Sequence, residues 1–264
     1  MYAVNYHRAS SVAEAASLLG KGEAKLLSGG MTLIPAMKTR LAAPSDVVDI
    51  SRIGELKGIT VSGNTVTIGA ATTHAEVATS ADLKKAAPAV ADLAAHIGDP
   101  HVRHRGTIGG SVANNDPAAD YPAALLALNA TVVTSSREIS AGDFFTGLFE
   151  TALRDGEIVT AIRFEKPEKS AYQKFPNPAS RYAMTGVFVA KGSDGVRVAV
   201  TGAGDNGVFR QEDMEKALAQ NFGPSALDGV SVSPDGLMTD IHASAEYRAN
   251  LVKVMAKRAV AKAG

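Results

Sequence analysis

Two stretches of this 264-residue chain carry residue types whose spacing could do chemistry. The first is Leu27-Ser28-Gly29-Gly30-Met31-Thr32-Leu33, a glycine pair flanked by hydroxyls. Ala24 to Leu27 is a short apolar run that reads as a buried strand. Residues 32–41 read as an amphipathic helix with Thr32 as N-cap. A strand, a glycine turn and a helix start in that order surround a hollow with backbone N–H groups and no Cβ, which suits a diphosphate. An ordinary strand–turn–helix connection would carry the same residues. The second stretch, read as a loop over 98–116, contains Thr107-Ile108-Gly109-Gly110-Ser111 and is followed by Asp116 and Asp120. Two hydroxyl-bearing glycine loops far apart in one chain suggest one large ligand. Backbone amides would take its diphosphate and Asp120 a ribose hydroxyl, which makes a dinucleotide the natural candidate.

Other chemical patterns carry less. His101 and His104, with His96 nearby, have a spacing that would allow a metal. No carboxylate or cysteine completes the set, and Arg103 and Arg105 mark a cationic loop instead, so no metal site is assigned. A literal Gly-x-Gly-x-x-Gly stands at Gly202, Gly204 and Gly207. Too little chain remains after it for further βαβ units, so it reads as a glycine-rich sheet connection.

The elements that must position these residues follow from patterning. Ser10 or Ser11 opens a helix with Val12, Ala15, Ala16 and Leu19 on one face, and Val47, Val48 and Ile50 make a strand. Ser62-Gly63-Asn64 joins two strands as a hairpin. Residues 74–97 are alanine-rich and read as two helices, the second opened by Pro88. Helix 122–128 and strands 131–134 and 158–164 follow. A hairpin turns at Gly192-Ser193-Asp194-Gly195, and helices near 211–219 and 242–262 close the chain. This gives units over 1–54 (α/β), 55–167 (α+β) and 168–264.

Composition sets limits. Hydrophobic residues make up 45% of the chain, and 27 basic residues balance 27 acidic ones, which argues against nucleic acid. No apolar run is long enough for a transmembrane segment and the N-terminus lacks a signal-peptide core, so the expected location is cytoplasmic. With no cysteine, the chain cannot hold a thiolate-ligated iron–sulfur cluster.

Together, Ser28-Gly29-Gly30-Met31-Thr32-Leu33-Ile34-Pro35 and Arg105-Gly106-Thr107-Ile108-Gly109-Gly110-Ser111, the latter running on to Asp120, resemble the FAD-binding medium subunit of molybdenum hydroxylases. That group includes aerobic carbon monoxide dehydrogenase and the flavin subunit of xanthine dehydrogenase. The resemblance implies an α+β, three-subdomain FAD module, with two N-terminal α/β subdomains holding FAD and a C-terminal antiparallel sheet with helices. It implies that Leu27 to Leu33 and Thr107 to Ser111 line the diphosphate and that Asp120 takes a ribose or ribityl hydroxyl. It further implies that Ile97 packs on the adenine with Val102 close by, that Val159 forms an apolar wall, and that Lys174 and Tyr182 flank the isoalloxazine. Pro176 and Pro178 depart from the family pattern after the lysine. The implied partners are a molybdopterin-containing large subunit, a [2Fe–2S] small subunit and a small-molecule or quinone acceptor. Electrons would pass from the iron–sulfur subunit through FAD, with substrate hydroxylation on another chain and no catalytic side chain here. Residues 198–210 look most like the carbon monoxide dehydrogenase branch. Two other classes share these motifs: a self-contained FAD-dependent oxidoreductase with its own small substrate, and a module that has kept the fold and lost the flavin.

Overall fold

Among the described residues three larger sheets form in succession along the chain, and Phe145–Gly147 pairs with Glu150–Thr151 as a fourth, two-stranded one. The computed structural model describes residues 1–20 and 22–264. Near the N-terminus, strands Asn5–Arg8, Asp46–Asp49 and Ala24–Leu27 pair in parallel, with Asp46–Asp49 in the centre. Parallel pairing needs crossovers, and helices Val12–Leu19 and Leu33–Lys38 supply them. Ser11 opens the first of these, its hydroxyl accepting the Glu14 amide at 3.1 Å. Ala24–Leu27 lies at the sheet edge and is only part-buried, which corrects its reading as a buried strand.

The second crossover helix is shorter than the expected 32–41. Thr32 already has helical backbone angles and makes no side-chain cap bond. The Thr39 hydroxyl donates back to the Pro35 and Ala36 carbonyls at 3.0 and 3.2 Å. Arg40 then turns to φ 65° and Leu41 is left 86% exposed.

The second sheet runs Ile59–Ser62, Thr65–Gly69, Val159–Glu165, Thr131–Thr134, Glu138–Ser140 in spatial order, all antiparallel. Gly63, at φ 56°, turns its first hairpin. Residues 74–97 form three helices in place of the expected two: His74–Thr79, Ala81–Ala86 and Pro88–Ala95. Ser80 makes the extra break, accepting the Leu83 amide on its hydroxyl and capping a new helix. Stretch 98–116 is likewise not a loop. Helices Pro100–Arg105 and Ile108–Asn114 occupy it, capped by Asp99 and Thr107. Glycine is a poor helix former, and Gly109 and Gly110 mask the helix that Thr107 starts.

The third sheet is antiparallel: Lys169–Pro176, Ala183–Gly192, Gly195–Thr201, Phe209–Arg210. Helices Glu212–Gln220 and Ala245–Ala263 pack on it through Met214, Leu218, Val252 and Met255. The last helix starts later than 242, because Ser244 supplies its cap. Gly202, Gly204 and Gly207 join two antiparallel neighbours of this sheet. A Cβ on Gly202 would lie 2.2 Å from the Ala183 carbonyl oxygen, so glycine serves packing there. The third sheet is not a separate body: Tyr172, Phe188, Ala190 and Ala199 belong to the same core as the second sheet and its helices. Among the described residues no helix is long and apolar enough to cross a membrane.

One part of that shared core is polar. His74 and Tyr121 are buried, their ring centroids 5.4 Å apart, and neither His74 Nδ1 nor the Tyr121 hydroxyl has a partner among the described residues. Burial, aided by the Arg103 charge, lowers the His74 pKa from 6.5 to about 4. The folded chain therefore keeps His74 neutral where the unfolded chain binds a proton. Its contribution to stability is complete above pH 6.5 and lost as pH falls toward 4. The full effect is on the order of 3 kcal/mol. Urea unfolding between pH 7 and pH 4.5 should show a loss of stability in the wild type that is clearly smaller in His74→Gln. Parallel losses in the two proteins would contradict a buried neutral histidine.

Candidate functional site

The two glycine stretches meet. The Ser28 and Thr107 hydroxyl oxygens, 79 residues apart in sequence, lie 2.9 Å from each other. A Cβ at Gly29 would stand 2.0 Å from the Arg105 carbonyl oxygen and 2.8 Å from the Gly106 Cα, so the backbones touch only because residue 29 has no side chain. Gly30 takes φ 75°, a conformation that branched residues avoid. Among the described residues, the amides of Ser28, Gly29, Gly30, Met31, Thr32 and Leu33 donate to no protein acceptor. These residues are part-buried or exposed, Met31 and Thr32 being the exposed ones. The first loop is thus a run of free donors held open against a fixed neighbour, as an anion cradle requires.

The second stretch differs from expectation. From Ile108 to Ser111 its amides already have acceptors: Ile108 N–H donates to the Thr72 carbonyl at 3.1 Å and Gly109 N–H to the Ala70 carbonyl at 2.9 Å. Gly110 N–H donates to Thr107 Oγ1 at 3.2 Å, and Ser111 N–H to the Thr107 carbonyl at 3.0 Å. What this stretch presents to the first loop is hydroxyls and a smooth Gly110 surface. Gly109 serves packing, since a Cβ there would meet Ala70 Cβ at 2.5 Å.

Asp120 is buried, and its surroundings come from the third sheet. Lys174 Nζ lies 3.0 Å from its carboxylate and also donates to the His96 carbonyl at 2.9 Å. The Tyr172 hydroxyl donates to the same carboxylate. Burial pushes the Asp120 carboxyl up, while Lys174 and then Tyr172 pull it back down. Tyr172 itself is held far above its ordinary range by burial and by Asp120. Sequence reasoning missed Tyr172. The signal available was its position two residues before Lys174, on the same face of one strand. Gly186 makes room for it: a Cβ at 186 would stand 2.3 Å from the Tyr172 hydroxyl.

The Asp120 turn is fixed to the third sheet by its backbone. Gly202 N–H donates to the Pro117 carbonyl at 2.9 Å and Ala183 N–H to the Ala118 carbonyl at 3.3 Å. The Thr201 hydroxyl donates to the Ala119 carbonyl at 2.6 Å. Tyr182, 47% exposed, faces this turn, and burial with the nearby Asp116 and Asp120 charges raises its pKa.

The other expected residues are distributed unevenly. Val102 packs on Gly98, and the Ile97 carbonyl accepts Arg103 Nη1 at 2.9 Å. Because Lys174 holds the carbonyl of His96, Ile97 and Lys174 stand at one end of the site. Val159 is buried in the core as the first residue of strand Val159–Glu165. The His96 and His104 rings bond the Asp92 and Pro100 carbonyls of their own helices.

Removing Asp120 would leave the Lys174 ammonium buried without its counter-charge. Asp120→Ala should therefore cost about 3–5 kcal/mol in urea unfolding. Tyr172→Phe should cost about 1–3 kcal/mol, and it should relieve part of the larger loss caused by Gly186→Ala, since the colliding hydroxyl is then gone. Strict additivity of those two substitutions would show that Gly186 does not accommodate Tyr172.

A family model described as the FAD binding domain in molybdopterin dehydrogenase matches residues 2–167, which contain both loops and Asp120. The carbon monoxide dehydrogenase medium chain of Hydrogenophaga pseudoflava is 34% identical over 272 residues, covering 97% of this chain and 95% of the relative. The nicotine 6-hydroxylase medium subunit of Paenarthrobacter nicotinovorans is 34% identical, covering 99% and 98%. The structure of reconstituted CO dehydrogenase from Oligotropha carboxidovorans superposes with a TM-score of 0.92 at 35% identity, covering 99% of this chain and 98% of that one. The relatives' matches span nearly the whole chain, and with the family model they show that the chain belongs to the FAD-binding medium subunits of the molybdenum hydroxylase family.

Proposed function

We propose that this chain is the FAD-bearing electron-transfer subunit of a multi-subunit molybdenum hydroxylase of the carbon monoxide dehydrogenase type. The observation that carries the reading is the row of unpaired amides at 28–33, facing a second loop that glycine alone allows so near. The residues fit the cofactor: donors without acceptors suit a diphosphate, and any Cβ at residue 29 would close the gap. Ser28 to Leu33 would hold the diphosphate, with Thr107, Gly110 and Ser111 forming the opposite wall. Asp120 sits beside Lys174, so a ribityl hydroxyl fits it better than the adenosine ribose. Lys174 and Tyr182 would then flank the isoalloxazine, with Ile97 and Val102 at that same end.

Bound FAD supplies electron transfer in steps of one or two electrons, which suits a relay between a one-electron donor and a two-electron acceptor. The chain's own residues bind and orient the cofactor. Electrons would arrive from a [2Fe–2S] partner subunit, and hydroxylation would occur on a molybdopterin-containing large subunit. The absence of cysteine supports this division, because the chain cannot ligate such a cluster with thiolates.

Gly30→Val should abolish FAD retention, measured as flavin absorbance per chain after gel filtration. Gly110→Val should do the same, since its Cβ would press on Thr107 Oγ1 at 2.9 Å. Circular dichroism on both variants should show an intact fold, and wild-type retention in either would refute the placement. Material purified from the native host should contain two further chains, with molybdopterin on one and [2Fe–2S] on the other. Substrate oxidation by the isolated FAD-loaded chain would overturn the relay reading.

A further inference from the structure

A cavity of about 520 Å³ opens between helix Pro100–Arg105, the end of strand Lys169–Pro176 and the turn at 177–182. That size suits a small organic molecule. None of residues 28–33 or 107–111 lines it, so it is separate from the diphosphate cradle. Four side-chain cations reach it: Arg103, Lys174, Arg181 and Lys262. Two are neutralised, Lys174 by Asp120 at 3.0 Å and Lys262 by Asp92 at 2.8 Å.

The two arginines are not. Arg103 Nη1 donates to the Ile97 carbonyl at 2.9 Å and the Gly98 carbonyl at 3.3 Å, and Arg181 Nη1 approaches the same Gly98 oxygen at 3.4 Å. No carboxylate among the described residues forms an ion pair with either. Asp99 feels the Arg181 charge without contacting it, and spends its Oδ1 on the Val102 amide while standing 3.6 Å from His101. Two guanidinium groups converging on one carbonyl repel each other, and an anion placed between them would remove that repulsion. The remaining donors of each fork are free for bidentate bonds to an oxyanion.

The turn that carries Arg181 is built to hold it. Arg181 takes φ 63°, unusual outside glycine. Asn177 fixes the turn, its Oδ1 accepting the Ala179 and Ser180 amides at 2.9 and 3.1 Å and its carbonyl accepting the Arg181 amide at 2.8 Å. Pro176 and Pro178 stiffen the same wall.

We propose that this cavity binds a small organic oxyanion, a carboxylate or a phosphate, clamped between Arg103 and Arg181. The site lies next to the Asp120–Lys174 pair and does not depend on FAD being seated in the cradle.

Calorimetric titration of the full chain tests this, with malonate and inorganic phosphate as separate probes at constant ionic strength, with and without added FAD. One saturable site is expected for at least one probe under both conditions, and the tighter probe identifies the preferred oxyanion. Arg181→Gln should weaken binding by about tenfold, the loss expected for one charge-assisted hydrogen bond, with an unchanged melting temperature. Arg103→Gln should weaken it by a similar factor. Flat isotherms with both probes, or equal affinity in Arg181→Gln, would overturn the proposal. Mole-for-mole displacement of the probe by FAD would overturn it too, by making the cavity part of the cofactor site. Failure of FAD to bind while the anion still binds would count against the cofactor reading alone.

Discussion

The structure depends on one backbone contact. Gly29 lies against the Arg105 carbonyl and the Gly106 Cα, closer than any side chain would permit. The segment it touches is braced from behind. His74 N–H donates to the Gly106 carbonyl at 2.9 Å, Thr73 bridges Thr107, and the Thr73–Glu76 capping box fixes the helix that supplies both. The first loop therefore rests on a rigid surface and not on another mobile loop. A glycine at 29 is a steric demand, while the glycine at 30 is a conformational one. The sequence writes them alike, and only the fold separates the two reasons.

From that contact comes a division between the loops. Every amide from Ile108 to Ser111 is bonded inside the protein, whereas those from Ser28 to Leu33 are not. One side is scaffold and the other side is donor. Buried or half-buried donors without acceptors carry a cost unless water or a ligand meets them. Holding them in place ahead of binding lowers the ordering that a ligand must impose. Val102 likewise sits on a short helix with a fixed cap, Pro100–Arg105, whereas Ile97 lies in the bend that precedes it.

Much of this was legible before folding. The glycine pairs, the hairpin at Gly63, the helix opened by Pro88 and the antiparallel third sheet all follow from local chemistry that tertiary packing then respects. The failures have physical causes. Thr32 reads as a cap, but the chain enters that helix with helical angles and leaves it early at Thr39. Stretch 98–116 reads as loop because glycine suppresses helix propensity, yet Asp99 and Thr107 cap two helices that packing completes. The expectation of a symmetrical amide cradle failed because spacing says nothing about whether an amide is already bonded. Tyr172 could have been found from its place two residues before Lys174 on one strand face, whereas the unpaired state of Arg103 and Arg181 lay out of reach, since it depends on partners distant in sequence.

The Asp120–Lys174 pair explains why the site has the width it has. A buried ion pair is weak evidence for stability, because desolvation offsets most of its attraction. Its effect here is on register. Tyr172 and Lys174 leave the same face of strand Lys169–Pro176 and both reach Asp120 on the Pro117–Asp120 turn. A slip of one residue would present Gln173 and Phe175 instead, and neither could neutralise the carboxylate. Misdocked arrangements would bury Asp120 without a cation, so the pair penalises them more than it rewards the native one. The two glycine stretches belong to the first two sheets and their helices, whereas Lys174, Arg181 and Tyr182 belong to the third. One charge pair at that seam, reinforced by the Gly202 and Ala183 amides, therefore sets the distance between the cradle and everything the third sheet presents to it.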